Sequence, residues 1–130
     1  MTAFPTPVDP PQLHHSPAFA QGMIAPPGST LYVGGQNGTD GTGALLDGLE
    51  AQTEQALRNV LAVLAEAGTG PEYVAKLTIY LAAGIDPGAA YAATLSVWGS
   101  HRTAVTVLAV TPARPGALVE IEAIAALPDR

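Results

Sequence analysis

The amino-acid sequence predicts an α+β fold, a two-layer sandwich in which two helices lie on one face of a mixed sheet. The elements expected along the chain run in the order β-β-α-β-α-β-β. Two apolar segments, 104–110 and 117–126, alternate with the period of two that is typical of strands. Two further segments, 47–68 and 86–99, combine helical spacing with residues that favour helix ends. A chain of 130 residues suits a single domain that spans 1–130.

The amino-terminal part is expected to supply an extended arm and two short strands. Residues 1–13 include prolines at positions 5, 7, 10 and 11, a composition that favours an extended arm over a helix. Residues 19–24 and 31–36 then predict two strands, and the Pro-Pro-Gly-Ser segment at 26–29 predicts the turn between them. We therefore expect these two strands to pair as a hairpin.

The first helix is predicted to follow Asp47. This residue is a good N-cap, and Glu50 stands three positions later, where it would complete a capping box. Apolar residues then recur at helical spacing until Gly68, which is a typical helix stop. The apolar segment 74–81 that follows predicts a central strand.

A second helix is predicted from Asp86, a favourable N-cap, and Pro87, which suits the first helical position. It should continue to Trp98 and end at Gly99. The segment from there to Arg102 is short, so the next strand follows almost directly.

The segment 34–43 is rich in glycine. No Gly-Lys-Ser/Thr sequence follows it, which excludes a phosphate-binding P-loop. Two interpretations remain, a flexible loop or a place where Gly34 and Gly35 allow a ligand to approach the backbone closely.

Net charge and residue usage exclude several classes of protein. The formal net charge is −6, and the cations are scattered along the chain: Arg58, Lys76, Arg102, Arg114 and Arg130. The lack of a basic patch argues against nucleic acid and anionic membrane surfaces as partners. Without cysteine the chain forms no disulfide, thiolate nucleophile or cysteine metal site. No segment resembles a signal peptide or a membrane span, so a soluble cytoplasmic protein is expected.

Charged side chains are rare around the last two strands, which makes three of them informative. Arg102 precedes the first of these strands, whereas Glu120 and Glu122 lie within the second, two positions apart and on the same face. One interpretation is an open sheet face on which the glutamates meet water. The other is a site at which a fixed arginine and a partly buried glutamate face one small molecule. His14 and His15 are not expected to share a metal ion, because adjacent side chains diverge.

The chain resembles the Rid family, the reactive-intermediate imine deaminases that are also called YjgF-like. The resemblance extends from residue 19 to residue 127 and rests on six short segments in order: 19–22 (FAQG), 33–36 (VGGQ), 51–56 (AQTEQA), 74–78 (VAKLT), 102–107 (RTAVTV) and 117–123 (ALVEIEA). It implies a homotrimer with a chorismate-mutase-like fold and ligand clefts between subunits. It also implies hydrolysis of enamine or imine intermediates, such as 2-aminoacrylate, to a 2-keto acid and ammonia, with no cofactor and no metal.

The resemblance implies roles for individual residues at matching positions. Arg102 matches the arginine that binds the substrate carboxylate, a group that a guanidinium can hold by two parallel hydrogen bonds. Glu120 matches the glutamate that handles the water, and a glutamate in a partly dry cleft can exchange a proton near neutrality. These two residues are the expected catalytic pair. The further substrate-binding positions are Phe19, Gly34, Gly35 and Tyr91.

Several positions depart from the family pattern. Phe19 stands where deaminating members tend to have tyrosine, Gly34 replaces a common serine, and Tyr91 replaces an asparagine. The cysteine that some members carry after the arginine is missing. The connection 98–102 is shorter than in typical deaminases, and His101 lies beside the arginine. The pocket is therefore expected to differ in shape.

The sequence favours hydrolytic deamination of imines and enamines and leaves one alternative of a different class. This alternative is a non-catalytic trimer of the same fold that binds small carboxylates. A ribonuclease activity, which is ascribed to some relatives, fits poorly with a net charge of −6 and scattered cations.

Overall fold

The computed structural model describes residues 4–128 and shows two helices packed on a mixed sheet, which confirms the predicted α+β class. The helices are α1 (Leu49–Glu66) and α2 (Pro87–Trp98). The strands in this part of the chain are β1 (Thr6–Val8), β2 (Gly22–Ile24), β3 (Thr30–Asn37), β4 (Val74–Ala82), β5 (Ala104–Val110) and β6 (Val119–Ala126). One strand, β1, therefore precedes the expected series of elements.

Within the described residues, the main sheet has four strands in the order β3-β6-β4-β5. Strand β6 is antiparallel to β3 and β4, whereas β4 and β5 run parallel, so the sheet is mixed as predicted. A parallel pair needs a crossover connection, and α2 provides it. At the β5 edge, Ala20 forms a single parallel bridge to Ala104, and its N–H donates to the Thr103 carbonyl oxygen at 2.9 Å.

The predicted hairpin between residues 19–24 and 31–36 is wrong. Strand β2 pairs instead with β1 in a separate antiparallel two-stranded sheet, in which Pro7 lies opposite Met23. Proline is tolerated in an edge strand, because its missing N–H can face away from the partner, so the proline-rich segment can supply a strand. The predicted arm is therefore partly a paired strand, and its residues 1–3 lie outside the described part of the chain.

The two helices differ in how far their ends follow the sequence prediction. Helix α2 begins and ends as predicted: the Asp86 carboxylate accepts a hydrogen bond from a first-turn N–H at 3.0 Å, and Gly99 ends the helix with a φ of 74°. Helix α1 has Gly48 as its N-cap, with a φ of 91° and no side-chain cap, so the capping box predicted for Asp47 and Glu50 is wrong. Because the backbone at Gly48 has a positive φ, Gly48 becomes the N-cap in place of Asp47. The helix begins one residue after the predicted position, and Asp47 lies outside it.

The core lies between the helices and one face of the main sheet. Its centre is formed by buried side chains of α1 and β6: Leu57, Val60, Leu64, Val119, Ile121, Ala123 and Ala125. Burial of each leucine, isoleucine or valine contributes about 1.5–3 kcal/mol. Because side chains alternate along a strand, Glu120 and Glu122 point to the opposite, open face of the sheet. Neither helix within residues 4–128 has the length and apolar character needed to cross a membrane.

The Gln52 side chain of α1 holds the segment that leads into β6 by hydrogen bonds. Its amide nitrogen donates to the carbonyl oxygens of Leu46 at 3.1 Å and Gly116 at 3.2 Å. Its amide oxygen accepts a hydrogen bond from the Leu118 N–H at 2.8 Å. The side chain is buried, so these three bonds satisfy an amide that has lost its contact with water. They hold the connection before β6 against the helix layer and thereby position Glu120, two residues after Leu118.

Candidate functional site

Strand β6 places Glu120 beside a small pocket on the open face of the main sheet. The pocket has a volume of about 290 Å³ and is lined by Gly35, Tyr80, Glu120, Glu122 and the segment 110–113. Strand pairing explains this grouping, because Glu120 lies next to β3 on one side and opposite Tyr80 of β4 on the other. A carboxylate and a phenol in one pocket are groups that can exchange protons with a bound molecule.

Gly35 makes room for the Glu120 carboxylate. A Cβ at Gly35 would overlap Oε2 of Glu120, whereas a Cβ at Gly34 would meet no heavy atom within 4 Å. The two glycines lie where the pairing register of β3 shifts, between Val33 and Gln36, and such bulges re-aim side chains beside functional sites. Gly34 and Gly35 thus lie in a strand and not in a flexible loop, and the group that approaches Gly35 is a carboxylate of the protein itself. The close approach of a ligand to these glycines stays a prediction.

The two glutamates of β6 have different partners. The Tyr80 hydroxyl donates a short hydrogen bond to Oε1 of Glu122. Ionisation of the phenol would lose this bond, which is the main reason why the pKa of Tyr80 is raised; burial and the two glutamate charges add to it. The Glu120 carboxylate has one long contact among the described residues, 3.5 Å from Nδ2 of Asn37 to its Oε1. The Glu120 carboxylate is therefore held less tightly by hydrogen bonds from the protein than the Glu122 carboxylate is.

Arg102 is held by the amino-terminal segment. Its Nη2 donates to the Asp9 carboxylate at 3.1 Å and to the carbonyl oxygens of Ser16 at 3.0 Å and Phe19 at 2.8 Å. The Gln21 N–H also donates to Asp9, and this bond first, then the Arg102 contact, lowers the pKa of Asp9. The Nε of Arg102 is buried without a partner among the described residues. The guanidinium is thus fixed at the start of β5 through one nitrogen, and its Nη1 donates to none of residues 4–128.

The two predicted catalytic residues lie toward opposite ends of the sheet. Ala104 lies opposite Lys76 of β4, whereas Glu120 lies opposite Tyr80 of the same strand. Arg102 precedes Ala104 by two residues, so Arg102 and Glu120 are roughly 20 Å apart along the strands at about 3.3 Å per residue. One small molecule cannot contact both residues within a single chain.

The remaining predicted residues fall into two groups. Gly35 lies with Glu120, as described above, and Gly34 precedes it in β3 without lining the pocket. Phe19 lies with Arg102, because its carbonyl oxygen accepts a hydrogen bond from the guanidinium. Phe19 and Tyr91 also line a larger cavity beneath α2, on the other side of the sheet from Glu120.

Sequence reasoning missed Asp9 and Tyr80. Asp9 is the only acidic residue among the first 39, and a lone acid in a proline-rich apolar segment was a usable signal. Tyr80 gave no such signal, because its proximity to Glu122 follows from the order and register of the strands, which local patterns do not determine.

The fold and the pocket define a class of small α+β domain in which a polar pocket lies on the open face of a mixed sheet, away from the helices. A family model described as Endoribonuclease L-PSP matches residues 12–127, so the chain belongs to this family, which includes the Rid proteins. No curated protein matches the chain in sequence.

Solved structures agree with this assignment. The Rid family protein YyfB from Yersinia pestis, a protein of unknown function, is 30% identical, with 96% of this chain and 100% of that chain covered and a TM-score of 0.85. A candidate endoribonuclease L-PSP from Entamoeba histolytica is 33% identical, with 97% of each chain covered and a TM-score of 0.71. RidA from an Antarctic Psychrobacter species is 26% identical, with 94% of each chain covered and a TM-score of 0.71.

Proposed function

We propose that this protein hydrolyses small enamines and imines, such as 2-aminoacrylate, to 2-keto acids and ammonia. The observation that carries the proposal is the Glu120 carboxylate, which lies against Gly35 on the open sheet face with one long contact to Asn37. Membership of the family that contains the Rid proteins supplies the reaction class.

The proposed chemistry needs one acid–base group. An enamine first becomes an imine, as its terminal carbon gains a proton and its nitrogen loses one. Water then adds to the carbon of the C=N bond, the C–N bond breaks, and a C=O bond and ammonia result. Glu120 accepts a proton from the attacking water and returns one to the leaving nitrogen. Positioning and this single group are sufficient, because imines hydrolyse readily.

In this proposal Arg102 binds the carboxylate of the substrate. Its guanidinium is held by Asp9 and by two carbonyl oxygens, so little side-chain entropy remains to be lost on binding. Since Arg102 and Glu120 are roughly 20 Å apart in one chain, a substrate meets both only where Arg102 of one subunit approaches Glu120 of another. The site therefore requires an oligomer, and the resemblance to Rid proteins makes it a homotrimer.

The open face of the sheet supports such an interface. Tyr32 is 74% exposed and Leu108 is 48% exposed, and both lie on strands of the main sheet, opposite Ile124 and Tyr80 respectively. They lie on the two outer strands of the same sheet face, β3 and β5, and burial of both against neighbouring subunits would remove apolar surface from water. Sedimentation velocity at micromolar concentration should give a trimer, and a monomer would remove the two-subunit site.

A coupled assay tests the activity. A serine dehydratase generates 2-aminoacrylate, and the appearance of pyruvate is followed with and without this protein. The wild type should accelerate pyruvate formation, and Glu120→Gln should slow it by about tenfold or more, because a positioned acid–base group contributes roughly 10²–10⁴-fold. Glu122→Gln is the matched control, since its carboxylate is bonded to Tyr80 and should affect stability or assembly instead. Equal rate losses in intact trimers of both variants would contradict the role of Glu120.

Binding of small carboxylates without turnover is the second candidate. The observation that favours it is Phe19, which offers no hydroxyl where deaminating members tend to have tyrosine. Calorimetric titration with pyruvate or 2-oxobutanoate should then show binding in a protein that forms no extra pyruvate in the coupled assay. In either case Arg102→Lys should weaken this binding by about tenfold or more, because lysine cannot keep the contacts to Asp9, Ser16 and Phe19 and also present a further N–H to the ligand. Equal affinities, or no binding at millimolar concentration, would exclude Arg102 as the anchor.

A further inference from the structure

A large cavity lies between α2 and the sheet face that carries the core. Its volume is about 810 Å³, and its walls include Leu77, Leu81, Ala90, Trp98 and Val105. Helix α2 packs chiefly on α1 and much less on the sheet, which leaves this space above the helix-facing side chains of β4 and β5. Small-molecule sites in proteins typically have volumes of about 300–1,000 Å³, and this cavity lies within that range.

The lining restricts the charge of an occupant. None of the described residues that line the cavity is Asp, Glu, Lys or Arg, and the titratable ones are His101 and Tyr91. Tyr91, Leu95 and Val107 are about half exposed and mark the mouth of the cavity. A charged group that enters without an ionic partner loses its hydration and gains no compensation, so the lining favours an uncharged molecule.

Two polar groups in this lining lack partners. The Nε1 of Trp98 and the Oγ1 of Thr53 are buried and form no hydrogen bond with the described residues. Neither atom has surface that water can reach. Buried donors without partners are rare in folded proteins, because each one forfeits its hydration. The indole N–H can only donate, so its missing partner is an acceptor.

We propose that this cavity binds an uncharged, mainly apolar molecule with a single acceptor oxygen, such as a medium-length ketone, aldehyde or alcohol. The apolar body occupies part of the space beneath α2, and the oxygen accepts a hydrogen bond from Trp98 after a small side-chain adjustment of the kind that is common on binding. Phe19 and Tyr91, two of the substrate-binding positions implied by the resemblance, also line this cavity. The cavity nevertheless lies on the helix side of the sheet and Glu120 on the other side, so binding of an uncharged molecule here needs neither Glu120 nor Arg102 and does not depend on the deaminase function.

The single tryptophan of the chain offers a direct test. A ¹⁵N-labelled protein gives one indole N–H signal, that of Trp98, and 2-heptanone is titrated against it. We expect saturable binding with a downfield shift of the indole proton, because the N–H gains an acceptor. Heptanoate has a comparable chain but carries a charge, and it should give no saturable shift at neutral pH. Absence of a saturable effect up to the solubility limit of 2-heptanone would overturn the proposal, and equal binding of heptanoate would overturn the uncharged class.

Variants locate the site. Ala90→Leu adds three carbon atoms to the cavity wall beneath α2 and should weaken 2-heptanone binding by about tenfold or more, because these atoms displace the ligand from this wall. Val107→Phe narrows the mouth without altering the core and should also weaken binding, which keeps the test decisive if the first variant folds poorly. Ala92→Leu, on the exposed side of α2, is the matched control and should leave the affinity unchanged. An equal loss in Ala92→Leu, or full affinity in both cavity variants, would place the ligand elsewhere and overturn the assignment.

Discussion

Replacement of Gly35 by alanine is expected to displace the Glu120 carboxylate and to leave the fold intact. A Cβ at this position would overlap Oε2 of Glu120 and come within 2.9 Å of its Cδ and 3.2 Å of its Cγ. All three atoms belong to one flexible side chain, so the side chain can rotate away and the backbone of β3 need not move. The substitution thus removes Glu120 from its position without changing Glu120 itself.

The expected change in stability is small because two effects oppose each other. A displaced side chain in a less favourable rotamer costs about 0.5–1.5 kcal/mol. Alanine restricts the unfolded chain more than glycine does, which stabilises the folded state by about 0.4–1 kcal/mol where the backbone tolerates it, and Gly35 has no positive φ. The free energy of unfolding should therefore change by less than about 1 kcal/mol. The deaminase rate should fall by about tenfold or more, as for loss of the acid–base group.

Urea unfolding and the coupled pyruvate assay measure the two quantities separately. Gly41→Ala is the matched control, because a Cβ at Gly41 would meet nothing within 4 Å and Gly41 lines neither pocket. A Gly35→Ala protein with the wild-type rate would refute the link between the position of Glu120 and catalysis. A loss of stability above about 2 kcal/mol would refute the reasoning as well, since it would mean that the backbone had to move.

Three further changes have defined outcomes. Gly38→Ala should reduce the free energy of unfolding in urea by about 1–3 kcal/mol, because its Cβ would overlap the backbone of Gln52, whereas Gly41→Ala should not. Gln52→Leu leaves three backbone groups unpaired and should cost about 2–4 kcal/mol by thermal denaturation; a loss below about 0.5 kcal/mol would contradict its role as an anchor. The pKa of Asp9 is lowered in the folded protein, so its contribution to stability is present above the ordinary value of 3.8 and is lost as the pH falls through the lowered value. Asp9→Asn should remove this part of the acid-induced loss below the ordinary value of 3.8, and parallel losses in both proteins would be inconsistent with it.

Local chemistry predicted the elements that depend on neighbouring residues. Asp86 and Pro87 together specify one helix start, because the cap and the fixed φ act within a single turn. Asp47 predicted the start of the other helix less well. Gly48, which follows it, takes the N-cap position with a positive φ that residues other than glycine rarely adopt. The alternation in β6 correctly placed Glu120 and Glu122 on one face, because the period of a strand is fixed.

Contacts between distant segments could not be predicted in the same way. The choice of β1 over β3 as the partner of β2 depends on which segments meet in space, and turn residues between two strands do not decide it. The Asp9–Arg102 ion pair joins residues 93 positions apart, and the Tyr80–Glu122 bond depends on the strand order. The resemblance to Rid proteins predicted Arg102 and Glu120 as a catalytic pair. The structure was needed to show that the two residues lie far apart within one chain.

The bridge between Ala20 and Ala104 has a consequence for handling the protein. Strand β5 is an edge of the main sheet, and an uncovered edge presents free N–H and C=O groups with which another chain can pair. The segment that holds Asp9 and Ala20 covers the first part of this edge and is fastened there by the Arg102 guanidinium. Removal of residues 1–20 would expose this edge, with Val107 and Leu108 already half exposed beside it, and should make the protein aggregate through β5.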